Sequence, residues 1–418
     1  MNYSLYQSKI PGVNALPVGL QLPTYIKPEP NKNLAKNNAV SAGPVELSLN
    51  RAVNFYADTG GCAFWRMGWP EYLLNCRQKA NISNLGVMVT EGHFYRDIKA
   101  VKLQRQSTPN QRNFAKALKD SQKNFKYKLI YEVDDIIFAE DIPDYNVCKK
   151  PFVSNACKDS IIEIVNMMDE FTVTCEYMKQ YYMHKTGFKN ITVVPNYPPK
   201  FWIDRYYNKY NIEKSFSKNK KRPRVLYSGS GVHADVANAL NQVDDFHHVV
   251  DAIIRARKDF KFVWKGCFPM RLKPYIDNGD MEFYPWDNLH DYPTGIINTG
   301  CNLTFASLID STFNRAKSNI KMLESGALGL PGVFQDMCTY KDAELKFTTG
   351  DELIDQLKYI TRDTSTFMKY AEAARTYVEG MWLEDHLEEH YATYFTPFGS
   401  KERQYATTLI KNNPDQKA

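Results

Sequence analysis

The sequence has no apolar run approaching the ~18 residues that a membrane-crossing helix needs, and 24 % of its 418 residues are charged. No bilayer-spanning segment is expected. The first ten residues lack a basic stretch followed by an apolar one, so no secretory leader is expected either. Eight cysteines are scattered along the chain, none in a C-x-x-C pair. That spacing provides neither a zinc knuckle nor a disulfide framework. Together these absences predict reduced thiols, no bound metal and a cytoplasmic protein. No short internal repeat is present, which excludes solenoids and propellers.

What charge there is sits in blocks. Lys200 to Arg224 holds nine basic and two acidic residues, and Arg96 to Lys128 holds ten basic and two acidic. The net charge is only +6, so the remainder is acidic. Two basic blocks on an acidic background predict a polyanionic partner such as duplex DNA. Solvated linker and helix surface is the alternative. Within the blocks Arg96, Arg105, Arg112, Arg205, Lys220, Lys221 and Arg222 are the candidate phosphate contacts. Phe201, Trp202, Tyr206, Tyr207 and Tyr210, interleaved with Arg205 and Lys209, suit base stacking or ordinary packing equally.

Residues 1–48 carry six prolines and little periodicity, and read as an extended arm. Short strands then alternate with helices. Strands are expected at 51–57, 85–90, 100–103, 128–133, 170–175 and 191–194, with helices at 68–79, from 109, at 154–168 and at 176–186. Thr108 followed by Pro109 is a helix start, with threonine as cap and proline in the first turn. A proline-rich break at 195–199 and a basic linker at 200–223 follow. A second series has strands at 225–228, 260–264, 281–284, 301–306 and 332–335, and helices at 244–258, 319–326 and 351–361. An aromatic-rich helix is expected over about 364–394. Such alternation predicts two parallel α/β sheets in series, over 49–199 and 224–365, with 366–418 as a final helix and tail. Ligands of such sheets bind at the carboxyl ends of the strands.

The strongest motif runs from Phe313 to Pro331. Ser318 is placed to cap a helix, and Lys317 and Lys321, four apart, share one face. Free backbone N–H groups at a helix start, with two lysines beside them, suit a diphosphate. Glu324 lies one turn further along, where a carboxylate can accept hydrogen bonds from two ribose hydroxyls. Asn314 opens the same run. Gly229-Ser230-Gly231 follows a buried strand and precedes His233 and Asp235, and glycines there let backbone amides approach a phosphate. Lys265-Gly266 ends the next strand. In the first half, Gly60-Gly61 with Arg66 follows the first strand. Tyr131-Glu132-Val133-Asp134-Asp135 ends another strand on two carboxylates, able to orient or deprotonate an acceptor hydroxyl. A Glu132/Asp134 pair holding a divalent ion is the competing reading of that motif.

On these residues the chain resembles GT-B-fold glycosyltransferases, in particular the retaining α-glycosyltransferases related to glycogen synthase. The run from Phe313 to Pro331 looks like their donor signature, which usually has two glutamates. Glu324 matches the second, and Ala316 stands where the first would be. The resemblance implies two Rossmann-like domains facing across a cleft, with a C-terminal crossover helix. It implies a UDP-sugar donor held by Gly60, Gly61, Gly229, Ser230, Gly231, His233, Lys265, Asn314, Lys317, Ser318, Lys321 and Glu324. Arg66, Asp134 and Asp135 would stand at the reacting centre, with Asp134 where the family often has a histidine. The wording at 131–135, 194–199, 227–233 and 313–324 is close to phage-encoded enzymes that place glucose or arabinose on 5-hydroxymethylcytosine in DNA. The resemblance therefore implies UDP-glucose or UDP-arabinose as donor and duplex DNA as partner, the base being flipped from the stack. Transfer to a surface polysaccharide or protein, and a non-catalytic DNA-binding protein on the same fold, are the alternatives.

Overall fold

The computed structural model describes residues 49–400 except Thr59, Tyr210 and 235–242; the side chains of Asn208 and Lys209 are also outside it. The expected arm at 1–48, the end of the tail, Asp235 and Tyr210 therefore lie outside the described residues.

Two six-stranded sheets are built in series. The first contains β1 (Arg51–Phe55), β2 (Asn81–Leu85), β3 (Ile98–Gln104), β4 (Lys128–Glu132), β5 (Glu170–Val173) and β6 (Ile191–Val193) in the order β2-β1-β3-β4-β5-β6. The second contains β7 (Arg224–Ser228), β8 (Lys261–Lys265), β9 (Glu282–Tyr284), β10 (Leu303–Ala306), β11 (Gly332–Gln335) and β12 (Lys346–Phe347) in the order β12-β11-β10-β7-β8-β9. Every pairing is parallel. Both faces of the central strands are covered, so β5 and β10 are buried at every residue and read as unbroken runs. The strand order reverses between β1 and β3 and between β7 and β10. A crevice opens at the carboxyl ends beside each reversal.

Several boundaries differ from expectation. The strand expected at 85–90 is β2, a few residues earlier; Val87 and Met88 beyond it are exposed. A short apolar run does not distinguish strand from loop. What fixes β2 is its pairing with β1 and the Asn75 side chain, which meets both backbone groups of Ile82 at 2.8 and 2.9 Å on the open edge. The helix expected at 68–79 starts earlier, at Gly61, and widens into a π-turn over Phe64–Gly68 before Trp69–Cys76. That turn directs Arg66 inward. The helix at Pro109–Phe125 has the expected threonine cap, completed by Gln111.

The basic stretch read as a linker is folded. It forms helices at Lys200–Ile203 and Ile212–Asn219, and Trp202, Ile203, Ile212 and Phe216 are buried. Trp202 stacks on Tyr292 with ring centroids 6.1 Å apart, and Phe216 stacks on Phe367 at 4.0 Å. Of the aromatics that suited base stacking, Trp202 is thus interior packing, whereas Phe201 is exposed and Tyr206 and Tyr207 are half-buried.

The last helix is two. Thr364–Glu379 packs against Ile320–Ala327, so closely that a Cβ on Gly326 would stand 2.5 Å from the Ala374 carbonyl oxygen. The chain breaks near Gly380, and Leu387–Phe395 returns to the first sheet. There Lys128 Nζ donates to the Thr393 carbonyl at 2.6 Å, and the Tyr394 hydroxyl donates to Asn54 at 3.1 Å.

Candidate functional site

In the first half the site forms beyond β1, β3 and β4. Glu132, the last residue of β4, points into the protein, where Arg66 pairs with both its oxygens at 2.7 and 3.3 Å. Arg66 Nη1 also donates to the Val194 carbonyl at 2.7 Å and to Asn196 at 2.8 Å. Both charged side chains are 1 % exposed. Arg66 was expected at the reacting centre. Its donors are instead consumed by a buried clamp that ties β4 to the segment after β6. The Glu132/Asp134 metal pair is corrected by the same contact, because Arg66 and the Thr172 hydroxyl occupy the Glu132 carboxylate.

Asp134 and Asp135 follow at the strand end. Asp135 Oδ1 accepts from Lys317 Nζ at 3.2 Å. Asp134 Oδ1 makes no hydrogen bond and stands 3.8 Å from an Arg105 guanidinium nitrogen. Arg105 also pairs with Asp58 and holds a left-handed backbone, φ 49°, just past β3. Such a conformation costs about 1 kcal/mol or more in a non-glycine residue, and here it aims the guanidinium at the two acids. The Cys62 sulfur lies within 4.8 Å of an oxygen of each carboxylate. Burial, Asp134 and Asp135 push its thiol well up, so it stays protonated. Burial also raises Asp135, against the pull of Lys317 and with the push of Asp134. Arg105 and Lys317 on the rim neutralise the acid pair and oppose a divalent ion there. Gly60 N donates to Asp58 at 2.7 Å, and Gly61, whose Cβ would touch nothing within 4 Å, faces open space.

In the second half, the loop after β7 carries Gly229, Ser230 and Gly231. A Cβ on Gly229 would lie 2.5 Å from the Tyr227 hydroxyl and 2.9 Å from Lys321 Nζ, so only glycine fits. Lys321 Nζ donates to the Ser228 carbonyl and sits 4.7 Å from the Tyr227 ring. Glu324 Oε2 accepts from the Tyr292 hydroxyl at 2.9 Å, and that hydroxyl is 2.7 Å from Ser228 Oγ. Burial raises the Glu324 carboxyl to about 7, with Lys321 opposing. Ser228, Tyr292, Thr304, Lys321, Glu324 and Ser325 share one pocket. His233 lies close by; its Nδ1 is 2.7 Å from Asp245 Oδ2, and burial pushes the imidazole down to about 4.

Three residues of the expected donor set are placed differently. The helix begins at Ile320 with Asn319 as an uncapped N-cap, and Ser318 Oγ instead accepts from Asn196 at 2.9 Å. Glu132, Arg66, Asn196 and Ser318 thus form one bonded chain between the halves. Lys265 is 2 % exposed, in an ion pair with Asp287 at 2.6 Å, and does not line the pocket. Asn314 is fully buried and donates to Asp245 at 2.6 Å and to the Ile309 carbonyl at 3.0 Å. It supports the site from behind.

The seven basic residues expected on DNA do not share a face. Arg96 precedes β3, and Lys220, Lys221 and Arg222 precede β7, so they lie at the amino ends of their sheets, opposite the site. Arg222 is spent on the Arg257 and Asp280 carbonyls, at 2.5 and 2.8 Å. Arg112 pairs with Glu163 at 3.1 Å, and Arg205 donates to its neighbour Tyr206 at 2.8 Å. Arg105 serves Asp134.

Sequence reasoning missed Asp58, Cys62, Tyr145, Asn196, Asp245 and Tyr292. Only Asp245 carried a signal: it is one of two adjacent acids, as Asp134-Asp135 are.

The two parallel sheets in series, the joint site at their carboxyl ends and the helix returning to the first sheet define the GT-B fold. Among solved structures, HepE from Anabaena in complex with UDP-glucose is similar, with a TM-score of 0.54 and 12 % identity over 82 % of this chain and 99 % of that chain. A S. aureus TarM variant bound to Fondaparinux, α-GlcNAc-glycerol and UDP has a TM-score of 0.47 at 10 % identity, over 78 % and 58 %. An α-glucosyltransferase in complex with UDP and a 13-mer DNA containing an HMU base has a TM-score of 0.46 at 11 % identity, over 87 % and 99 %. At these identities the likeness is one of fold alone. No protein-family model matches the sequence, and no curated protein matches it.

Proposed function

We propose that this chain is a glycosyltransferase that moves a sugar, glucose or arabinose, from a UDP-sugar to a hydroxyl acceptor. One observation carries the reading: Lys321 and Glu324 belong to the helix Ile320–Ala327, and Lys317, in the loop leading into it, reaches Asp135 of the facing half at 3.2 Å. Lys317, Lys321 and the uncapped helix start suit a diphosphate. Glu324 suits the ribose, taking its hydroxyls in place of the Tyr292 hydroxyl. The sugar's anomeric carbon then lies toward Asp134 and Asp135. The acceptor oxygen bonds to that carbon as the carbon–phosphate oxygen bond breaks. The proton passes to a carboxylate, and the electron pair leaves on UDP beside the lysines. Asp135, whose carboxyl burial raises against the pull of Lys317, is the candidate base.

For the acceptor we propose 5-hydroxymethylcytosine in duplex DNA, on the resemblance of the four segments to phage enzymes. The second reading, a saccharide or protein acceptor, is favoured by the basic residues at the amino ends of the sheets. Incubation with UDP-glucose or UDP-arabinose and plain or hydroxymethylated duplex separates the two by mass. A gain that requires the hydroxymethyl group supports the first; UDP release with saccharide acceptors alone sinks it. Salt-sensitive DNA binding without turnover would leave a non-catalytic DNA-binding protein.

A further inference from the structure

The Asp245 side chain is held at both of its oxygens. Its Oδ1 accepts three hydrogen bonds: from the Tyr145 hydroxyl at 2.8 Å, from Asn314 Nδ2 at 2.6 Å and from Ile309 N at 3.1 Å. Its Oδ2 faces His233 Nδ1 at 2.7 Å. The backbones agree, since Asp245 N donates to the His233 carbonyl at 3.2 Å and the Ser307 hydroxyl donates to the Asp245 carbonyl at 2.6 Å. The Asp245 carboxylate cannot turn away without breaking several bonds.

This arrangement dictates a tautomer. A carboxylate only accepts, so His233 Nδ1 must carry the proton. The imidazole is neutral at pH 7, because burial outweighs Asp245 and the ammonium groups of Lys321 and Lys317 oppose a third positive charge. Nε2 is therefore a lone-pair acceptor. A diphosphate between two sugars has no proton to offer it, whereas a sugar hydroxyl does.

We propose that Asp245 is a positioning residue which fixes His233 as the acceptor for a hydroxyl of the transferred sugar, so that His233 reads the sugar and not the diphosphate. The proposal rests on the nucleotide-sugar reading above and adds to it a residue that senses the donor's sugar. Tyr145 belongs to the first half, so the same carboxylate also ties His233 to the half that holds Asp135.

The Asp245→Asn substitution tests it with little change of shape. Three donors hold Oδ1, so the new amide nitrogen must take the place of Oδ2 and donate to His233 Nδ1. The proton then moves to Nε2, and the acceptor becomes a donor. Nitrogen NMR of histidine-labelled, unliganded protein is expected to show the Nδ1–H tautomer in the wild type and Nε2–H in D245N. The kcat/KM for UDP-glucose should fall roughly tenfold to a hundredfold, while affinity for UDP, which has no sugar, stays within about threefold. H233A should lose as much, and D245N/H233A no more than H233A. An Nε2–H wild type overturns the proposal, even if D245N fails to fold. So does a D245N that loses UDP and UDP-glucose equally, or one whose cost persists in the H233A background. Absence of turnover with every UDP-sugar would sink the transferase reading instead, since the tautomer is read in the unliganded protein.

Discussion

Lys317 and Asp135 meet at 3.2 Å, one from the loop leading into the helix Ile320–Ala327 and the other from the end of β4. The ion pair joins the phosphate end of the candidate donor site to the candidate base. Burial alone would lower the Lys317 ammonium, yet Asp135 holds it above the ordinary lysine range. Burial raises Asp135, and Lys317 holds it down. Replacing Lys317 by Met should therefore raise Asp135 further. A base works only when deprotonated, so the acidic limb of the kcat/KM profile should move to higher pH. UDP affinity should fall roughly tenfold as one charge-assisted contact is lost. A limb that does not move would remove Asp135 from the chemistry.

Glu324 is raised to about 7 from an ordinary value of 4.5. A carboxyl whose folded value lies above its unfolded one stabilises the protein in its protonated form, and this stability is lost as pH rises through about 4.5 to 7. Glu324→Gln should remove that loss and make the unliganded protein about 1–2 kcal/mol more stable at pH 8. The same change should raise the donor KM more than it lowers kcat, because ribose is held alike in ground and transition states. Thermal melts of both proteins at pH 5 and pH 8 check the first expectation, and an unchanged donor KM would refute the ribose role.

Arg66→Met leaves Glu132 buried without its partner, and we expect a loss of about 3–5 kcal/mol. Adding Glu132→Gln should recover part of it. Urea denaturation of the single and double variants measures both. An Arg66→Met protein with full stability and collapsed kcat would return Arg66 to the reacting centre.

Gly229→Ala inserts a methyl group 2.9 Å from Lys321 Nζ. Displacing that ammonium should weaken UDP binding by roughly fivefold to thirtyfold, and crowding the buried Tyr227 should cost about 1–3 kcal/mol of stability. Calorimetric titration with UDP decides. Unchanged affinity would show that Lys321 does not hold the diphosphate.

Lys220→Ser/Lys221→Ser removes two exposed charges from the amino end of the second sheet. If DNA is the acceptor and enters at the carboxyl ends, turnover on hydroxymethylated duplex should stay within about twofold and the salt dependence should hardly change. A slope shallower by about two would place the duplex on the far side of the molecule.

The sequence by itself determined the two successive series of strands and helices. Unbroken apolar strands such as Val225-Leu226-Tyr227 announce a parallel sheet covered on both faces, and Thr108-Pro109 and the run from Lys317 to Glu324 announce helix starts at its carboxyl edge. These signals are local, so one sequence carries them. Tertiary structure decided which polar side chains face the site. Arg66, Lys265 and Asn314 looked free along the chain, but each is itself buried and finds a partner from another segment: Glu132, Asp287 and Asp245. A buried charge or amide must be paired, and the pairing consumes the groups that would otherwise meet a ligand. The converse selection placed Arg105, Tyr292 and Asp245 at the site, because only the folded sheets bring the end of β3, the segment after β9 and the segment after β7 together around Lys317, Lys321 and Glu324.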